Sequence, residues 1–302
     1  MNYYNEIKNK FIDHEGYKRI KDYSKNRNEL ETYYEVGKLL VEAQGGEARA
    51  KYGNGLIKVY SRRLTLELND KKYSYRNLMN MRKFYLKFSG EKVNALRSQL
   101  SWSHYRELLV LNDINEINYY INLSIRDNLS YRQLHDRIKS KEYVRLDDNT
   151  KNKLMTNDKL SIKDEIKHPI IIKNKYNTND ITEKMLKNLI LENIEDFLNE
   201  LGNGFSFIKS EYKIKVGNEY NYIDLLLFNY IYNCFIVVEL KVTKLRKEHI
   251  GQIEIYMNYI DKNINSVTHD KTIGIIIAKR DNKFMMEYCS DKRIFNTIYE
   301  LI

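Results

Sequence analysis

The clearest pattern of apolar and polar positions lies between residues 222 and 278. The run Cys234–Val238 is continuously apolar, which is typical of a strand buried on both faces. Tyr222–Phe228 has β-type composition, and the polar break Asn229–Asn233 between the two runs predicts a short hairpin. A helical segment follows, and 272–278 is again apolar, so the pattern predicts two adjacent strands, a helix and a further strand.

The segment before this hairpin predicts a helix followed by two short strands. Helical periodicity over Ile181–Leu201 begins after a candidate cap at Asp180, and Gly202 and Gly204 end it. Two β-type runs and a turn come next: Phe205–Ile208, Tyr212–Val216 and Gly217-Asn218. The order helix, four short strands (three if the first two merge), helix and strand predicts an α/β sandwich around a mixed sheet.

The N-terminal half carries helical periodicity. One helix is predicted over Asn28–Ala43, where Gly45 and Gly46 can stop it, and another over Gly55–Leu68. Three later helices are predicted to begin at serines that can cap free N–H groups, each with an arginine in or near the first turn: Ser74, Ser101 and Ser130. The aromatic residues of these segments are predicted to pack in a core: Trp102, Tyr105 and Tyr131.

Chain length and composition predict two domains. Residues 1–145 are expected to form a mainly α-helical domain, and residues 179–302 the α/β domain. Between them, 146–178 is rich in Lys, Asn and Asp and holds the single proline of the chain, Pro169, which predicts a linker.

The predicted hairpin brings two carboxylates together. Because side chains alternate along a strand, Glu239 and Lys241 emerge on the same face. If the hairpin folds about its middle, Asp224 lies directly opposite Glu239, with Cβ atoms about 4.5–5.5 Å apart. Two carboxylates this close among apolar neighbours repel each other unless a cation or a proton intervenes. The pattern therefore predicts a cation site.

These groups are the set that a metal-dependent phosphodiesterase needs. Asp224 and Glu239 would hold Mg²⁺ (or Mn²⁺), since Mg²⁺ takes oxygen ligands and usually keeps waters and a substrate phosphate. Lys241 would orient or help to deprotonate a water and stabilise charge developing on the phosphate. Gln252 and Tyr256, one helical turn apart, would position the nucleic-acid backbone or brace Lys241.

The same residues have plainer interpretations. A solvated face of an edge strand also explains Glu239 and Lys241, although the apolar residues on both faces just before them argue against it. Gln252 and Tyr256, taken alone, are typical of an ordinary amphipathic helix. The joint occurrence of these residues in one predicted strand–hairpin–strand–helix unit is what favours the site.

Four motifs occur in order along the C-terminal half: Asn199–Phe207, Tyr222–Phe228, Val237–Val242 and Ile273–Ile277. With Gly251-Gln252 and Tyr256, they resemble the PD-(D/E)xK nuclease superfamily. More narrowly, they resemble the YhcG-type family, bacterial proteins with a DUF1016 helical N-terminal domain and a C-terminal PD-(D/E)xK nuclease domain. The resemblance covers nearly the whole chain, most weakly over 1–50 and 145–180. It implies a restriction-endonuclease-like α/β domain with a mixed sheet flanked by helices. It also implies a helix leading into that domain, so part of the segment 146–178 is expected to be ordered.

The resemblance also implies a further metal ligand. In this superfamily an acidic residue on the helix before the first core strand often completes the metal site. Glu200 and Glu192 are the candidates here, and Glu200 is preferred. Surface charge on an acidic helix explains both residues at least as well.

Positive charge is concentrated in the N-terminal half. Residues 1–140 hold 26 Lys+Arg and 17 Asp+Glu, a net of +9, whereas residues 141–302 hold 25 and 24, a net of +1. A basic domain joined to a near-neutral one indicates a nucleic-acid anchor beside a cutting domain. The candidate nucleic-acid-binding residues lie on the predicted helices: Arg76, Arg82, Lys83 and Arg132. The alternative is a generic basic surface on helices that serve packing and dimerisation.

The sequence therefore predicts a metal-dependent nuclease that cuts DNA, and a homodimer would suit the cutting of both strands. One alternative is a catalytically silent nucleic-acid-binding or assembly protein that uses the nuclease fold as a scaffold. Another is a component of a restriction, transposition or defence system that acts only with a partner. No signal peptide or membrane-spanning stretch is recognisable, and the two cysteines show no metal spacing, so a cytoplasmic location is expected.

Overall fold

The computed structural model describes residues 3–18, 25–46, 54–89, 100–176, 178, 180–282 and 286–302. The chain divides into two compact units, 1–139 and 140–302. The first unit is helical, and the second contains a six-stranded sheet. None of the helices in these ranges is long and apolar enough to cross a membrane.

The first unit contains seven helices in its described residues. They are α1 (Tyr3–Lys18), α2 (Lys25–Ala43), α3 (Asn54–Glu67), α4 (Tyr75–Phe88), α5 (Trp102–Leu108), α6 (Ile114–Arg126) and α7 (Tyr131–Lys139), with a 3-10 turn at Lys71–Tyr73. The helices predicted over 28–43 and 55–68 are confirmed as α2 and α3. Gly45 and Gly46, with φ of 85° and 91°, take the left-handed conformation that ends α2.

Aromatic side chains form much of the core of this unit. The ring of Phe84 lies 4.9 Å from Tyr105 and 5.5 Å from Trp102, centroid to centroid, in the tilted and edge-on arrangements that aromatic pairs prefer. The predicted burial of Trp102 and Tyr105 is confirmed. The prediction for Tyr131 is wrong, because its side chain is 41% exposed. Tyr131 is the first residue of α7, whose buried contact is made one turn later by Leu134.

The second unit contains five helices and six strands in its described residues. The helices are α8 (Asp148–Thr156), α9 (Ile162–Glu165), α10 (Glu183–Glu192), α11 (Ile194–Leu201) and α12 (Lys247–Asn263), with a 3-10 turn at Tyr143–Arg145. The strands are β1 (Ile170–Ile172), β2 (Phe205–Val216), β3 (Glu219–Asn229), β4 (Cys234–Lys244), β5 (Ile273–Arg280) and β6 (Ile294–Leu301). The sheet order is β1-β6-β5-β4-β3-β2. The strands β1, β6, β5 and β4 are parallel to one another, whereas β3 is antiparallel to both of its neighbours, β4 and β2. The prediction of a mixed sheet is therefore confirmed.

Helices cover both faces of this sheet. On one face, α10 and α11 contribute to a core that includes Leu186, Leu189, Leu225, Val238 and Leu240. On the other face, α12 contributes to a second core, which includes Ile253, Met257, Val237, Ile276 and Ala278. Strand β4 is buried on both faces, as its continuously apolar sequence predicts.

Two details of this unit differ from the sequence prediction, and one settles an alternative. The helix expected over 181–201 is interrupted at Asn193, and its cap is Thr182, whose Oγ1 accepts a hydrogen bond from the Met185 N–H at 3.2 Å. The two β-type runs over 205–216 merge into the single strand β2, the second of the two expected arrangements, with an irregularity between Phe207 and Lys209. Strands β1 and β6 were not predicted.

The segment 146–178 also differs from the predicted linker, because it contains α8, α9 and β1. Its polar residues bond within the segment: Lys153 Nζ lies 2.8 Å from Oδ2 of Asp164, and Thr150 Oγ1 donates to the Asp164 carbonyl at 3.0 Å. Its β1 residues pair with β6. The polar composition therefore reflects side chains used in local bonding and not an unstructured connection.

Candidate active site

The β3–β4 hairpin has the register that the sequence predicts. Leu225 pairs with Val238 and Leu226 with Val237. The paired residues end there, and Asp224 reaches β4 by accepting a hydrogen bond from the Leu240 N–H, which puts it next to Glu239, the residue expected to share a cation with it. Leu240 lies between Glu239 and Lys241 and belongs to the core under α10, so the two charged residues lie on the opposite face.

Asp224 is held by two contacts that bind its two oxygens separately. Its Oδ2 accepts a hydrogen bond from the Leu240 N–H at 3.0 Å. Its Oδ1 lies 2.9 Å from Nζ of Lys187, which belongs to α10 and also pairs with Glu211. The carboxylate is thereby fixed against β4 beside Glu239.

Glu239 is the most deeply buried acid of this group, with only 2% of its surface exposed. Its Oε1 lies 2.7 Å from Nζ of Lys241. Its Oε2 is buried and has no hydrogen-bond partner among the described residues. An unpaired buried carboxylate oxygen is costly, so it marks a place where a cation or a proton is needed.

The electrostatics of the pair agree with this geometry. Burial and then the nearby charge of Asp224 raise the pKa of Glu239 to about 7, against the opposing effect of Lys241. Burial tends to lower the pKa of Lys241, but its hydrogen bond with Glu239 and the charges of Glu239, Glu183 and Asp224 outweigh burial and raise it. Lys241 therefore stays protonated, whereas Glu239 gains or loses a proton near neutral pH.

Two residues of α10 that the sequence analysis did not select also lie at this centre. Glu183 Oε2 is 3.6 Å from Nζ of Lys241, and Lys187 pairs with Asp224. The two residues are four apart, so they occupy the same face of the helix. That spacing of opposite charges at the start of a helix preceding the core strands is the signal that could have identified them.

The structure does not bring Glu200 or Glu192 to this centre, which contradicts the expected third ligand. Both oxygens of Glu200 contact the guanidinium of Arg145, one at 2.9 Å, and Oε2 also accepts the Ile171 N–H at 2.9 Å. Glu192 is exposed at the end of α10 and pairs with Lys175. The carboxylate of Glu200 is thus occupied by a buried cation from the same unit, so it is not free to bind a metal.

Gln252 and Tyr256 lie on one face of α12, as predicted, and bond to each other. Gln252 Nε2 donates to the Tyr256 hydroxyl at 2.8 Å. Tyr256 is buried. Its pKa is raised by burial and, to a smaller degree, by the charges of Glu239 and Asp224, against the opposing effect of the hydrogen bond from Gln252. The proposed roles of both residues remain predictions.

The residues present fit a magnesium site of low protein coordination. No cluster of three or more His, Cys, Asp or Glu side chains arranged for a metal occurs in the described ranges. The centre instead offers two carboxylates, one with an unpaired buried oxygen. Mg²⁺ is usually bound through one or two carboxylates together with waters and substrate phosphates. Such a donor set suits an ion whose remaining ligands are water molecules and the substrate phosphate.

The four basic residues selected in the helical unit differ in their surroundings. Arg76, Lys83 and Arg132 are exposed. Arg82 is half-buried, and its Nε donates to Oε1 of Gln44 at 2.6 Å. Arg132 donates to the hydroxyl of its neighbour Tyr131 at 3.2 Å. Three of the four are therefore accessible to a ligand, whereas Arg82 is engaged within the unit.

Comparison with known proteins divides the chain along its sequence in the same way as the structure does. Residues 162–301 match the YhcG PDDEXK nuclease domain, and residues 16–145 match the DUF1016 N-terminal domain. The chain therefore carries matches to both domains of the YhcG-type family. A relative from Escherichia coli (strain K12), "Putative nuclease YhcG", is 28% identical over 296 residues, which cover 82% of this chain and 76% of that protein. The YhcG-type match confirms the PD-(D/E)xK class of the C-terminal domain.

Solved structures resemble only part of the chain. A repair endonuclease from Pyrococcus abyssi is 20% identical, with a TM-score of 0.31, over 40% of this chain and 48% of that one. An EndoMS–dsDNA2 complex is 19% identical, with a TM-score of 0.29, over 43% of this chain and 48% of that one. The chain thus spans about half the length of these structures, and a likeness at this level carries no inference about activity.

Proposed function

We propose that this YhcG-type protein is a metal-dependent nuclease that hydrolyses phosphodiester bonds of DNA at the centre formed by Asp224, Glu239 and Lys241. The observation that carries the proposal is the buried, unpartnered Oε2 of Glu239, next to a second carboxylate and a lysine. Such an arrangement is costly to a folded protein unless a cation or a proton binds there, and a divalent ion between the two carboxylates would satisfy both at once.

The residues of the centre divide the work between them. Asp224 and Glu239 would hold Mg²⁺ or Mn²⁺, and a bound divalent ion would offset phosphate charge and make a water more acidic. Lys241, held by Glu239 and Glu183, keeps its proton because its pKa is raised. It therefore donates a hydrogen bond to a phosphate oxygen or orients the water and does not serve as a general base.

Gln252 and Tyr256 of α12 have a supporting role in this proposal. Gln252 satisfies the oxygen of Tyr256 by donating to it, which leaves the tyrosine proton available for donation. Tyr256 can then brace the centre or contact the nucleic-acid backbone.

The helical unit supplies the second part of the proposed function. Its net charge of +9 over residues 1–140 favours binding to a polyanion. The side chains of Arg76, Lys83 and Arg132 are exposed, so they can contact DNA phosphates. We infer that it anchors the substrate while the C-terminal unit cuts, and that two copies act together on duplex DNA.

The test is cleavage by purified full-length protein on linear, circular, single-stranded and branched DNA and on one RNA. Reactions contain Mg²⁺, Mn²⁺ or EDTA, and compare the native protein with Asp224→Asn and Lys241→Ala variants. Lys244→Ala, an exposed lysine at the end of the same strand, is the matched control. We expect metal-dependent cutting that falls at least about 100-fold in both site variants and stays within twofold in the control.

Two outcomes would contradict the proposal. Cleavage that persists in Asp224→Asn would place the activity elsewhere. No cleavage of any substrate, with DNA binding intact, would favour the assembly protein or the partner-dependent component.

A further inference from the structure

The β2–β3 hairpin has an exposed face whose residues have no role in the proposed catalytic centre. β2 is the edge strand of the sheet, and its last residues pair with the start of β3. Lys213 pairs with Tyr222, and Lys215 pairs with Tyr220. Directly paired residues lie on the same face of a hairpin, so two lysines and two tyrosines lie side by side. We call Lys213, Lys215, Tyr220 and Tyr222 the Lys–Tyr face.

The opposite face of this hairpin accounts for its folding. Ile214 and Ile223 are buried and belong to the core under α12. Tyr220 and Tyr222 remain 57% and 49% exposed. Packing therefore explains one face of the hairpin and leaves the aromatic residues of the other without a structural role.

The charge of the Lys–Tyr face is positive and uncompensated. Lys213 and Lys215 form no ion pair within the described part of the chain, and Nζ of Lys213 lies 3.8 Å from the centre of the Tyr220 ring. Among the acids of the hairpin, Glu211 and Asp224 both pair with Lys187, and Glu219 is opposite Val216 and so lies on the other face. A polyanion would therefore meet lysines and aromatic rings there, beside carboxylates that already have a cationic partner.

This face continues into the proposed catalytic centre. Tyr222 precedes Asp224 by two residues on β3, a step of about 7 Å along a strand. Ile223 belongs to the core under α12 and Leu225 to the core under α10, so β3 changes face at Asp224. The Asp224 side chain contacts Lys187 of α10, on the side of the hairpin where Tyr222 lies, and it accepts the Leu240 N–H beside Glu239. A strand bound at Asp224 would therefore extend along the tyrosines and lysines.

We propose that the Lys–Tyr face binds an unpaired DNA strand that leads away from the scissile bond, with the lysines on its phosphates and the tyrosines stacked against its bases. Exposed aromatic side chains can stack only on bases that are not already in a duplex. The inference rests on the proposed nuclease function and narrows its substrate to DNA with a single-stranded segment beside the cut.

The test measures binding without cleavage, so it does not depend on activity. Full-length protein in EDTA is titrated into a fluorescein-labelled 24-nucleotide oligo(dT) and, separately, into a duplex of equal length at several salt concentrations. The variants are Tyr220→Ala/Tyr222→Ala, Tyr220→Phe/Tyr222→Phe and Lys213→Ala/Lys215→Ala. Tyr230→Ala, an exposed tyrosine just after the other end of β3, is the control.

We expect the tyrosine-to-alanine pair to weaken oligo(dT) binding at least about tenfold while duplex affinity stays within twofold, since stacking contributes roughly 1–3 kcal/mol per base. The phenylalanine pair should bind oligo(dT) nearly as well as the native protein, which a folding defect would not allow. The Lys213→Ala/Lys215→Ala variant should reduce the slope of log K against log salt concentration by about 1 to 1.5, because each phosphate contact on a single strand contributes about 0.7 to that slope.

Either of two results would overturn the inference. One is oligo(dT) binding by the tyrosine-to-alanine pair at the native affinity. The other is an equal loss for oligo(dT) and duplex, which would assign the face to backbone binding alone. Failure of the proposed nuclease function would show in the cleavage assay and not in these affinities, so the two are distinguishable.

Discussion

The ammonium of Lys187 lies 2.9 Å from Oδ1 of Asp224, while the other oxygen of that carboxylate accepts the Leu240 N–H. A lysine thus provides a positive charge at a carboxylate that we propose to bind a divalent ion. The same ammonium also contacts Glu211, so it can turn away from Asp224 without losing every partner.

Replacing Lys187 by methionine should strengthen metal binding. Removing one positive charge near a divalent ion relieves repulsion of about 1 kcal/mol or more, which corresponds to at least about fivefold in affinity. Calorimetric titration with Mn²⁺ measures the change, and Lys184→Met, an exposed lysine of the same helix, is the control. Weaker binding by Lys187→Met would show instead that the lysine is needed to hold Asp224 in place.

The buried Glu239 predicts a specific pH dependence of the metal-free protein. Its pKa of about 7 in the folded state exceeds the ordinary value of 4.5, so the folded protein binds more protons than the unfolded chain between these values. The corresponding contribution to the free energy of unfolding is fully present below pH 4.5 and is lost as the pH rises through about 7, at about 1.4 kcal/mol per pKa unit.

The Glu239→Gln variant should lack this contribution. Urea denaturation in EDTA at pH 5 and pH 8 should therefore show the variant gaining stability relative to the native protein as the pH rises. A difference in stability between the two proteins that is the same at both pH values would contradict the raised pKa of the buried Glu239 carboxyl group.

The ion pair of Arg145 and Glu200 predicts a large effect on stability. Arg145→Met leaves the Glu200 carboxylate buried and unpaired, which should lower the free energy of unfolding by about 3–5 kcal/mol. The double variant Arg145→Met/Glu200→Met should recover much of that loss. Glu192→Ala, which breaks an exposed pair, should change the stability by no more than about 0.5 kcal/mol. Equal effects of Arg145→Met and Glu192→Ala in urea denaturation would be inconsistent with the buried pair.

The exposed basic residues of the helical unit should contribute to DNA affinity through salt-dependent contacts. The triple variant Arg76→Ala/Lys83→Ala/Arg132→Ala should weaken duplex binding and reduce the slope of log K against log salt concentration by about 2 to 3. Arg82→Ala should mainly reduce thermal stability, because its partner is Gln44. An unchanged slope in the triple variant would favour a packing or dimerisation role for these helices.

The sequence was sufficient where the evidence is local. Strand alternation and the short connection between β3 and β4 predict the register that pairs Leu225 with Val238 and brings Asp224 next to Glu239. Glycines 45 and 46 and the serines before α4, α5 and α7 similarly predict where helices end and begin. In each case, the residues that determine the structure are close in sequence.

The sequence was insufficient where a partner lies far along the chain. Glu200 has the helix position expected of a metal ligand, but its carboxylate is bound by Arg145, 55 residues earlier. Lys187 and Glu183 reach residues 37 and 58 positions away, Asp224 and Lys241. Strand β1 is only three residues long and pairs with β6 at the opposite end of this unit, so β1 has no neighbouring strand in the sequence that would predict its pairing.

The most direct measurement is calorimetric titration of Mn²⁺ into the metal-free protein and into the Asp224→Asn, Glu239→Gln and Glu200→Gln variants. We predict binding by the native protein that weakens at least about tenfold in the first two variants, since each removes a charged oxygen ligand. Glu200→Gln should bind within twofold of the native protein. Native affinity in Asp224→Asn and Glu239→Gln, or loss of binding in Glu200→Gln, would contradict a metal site at Asp224 and Glu239.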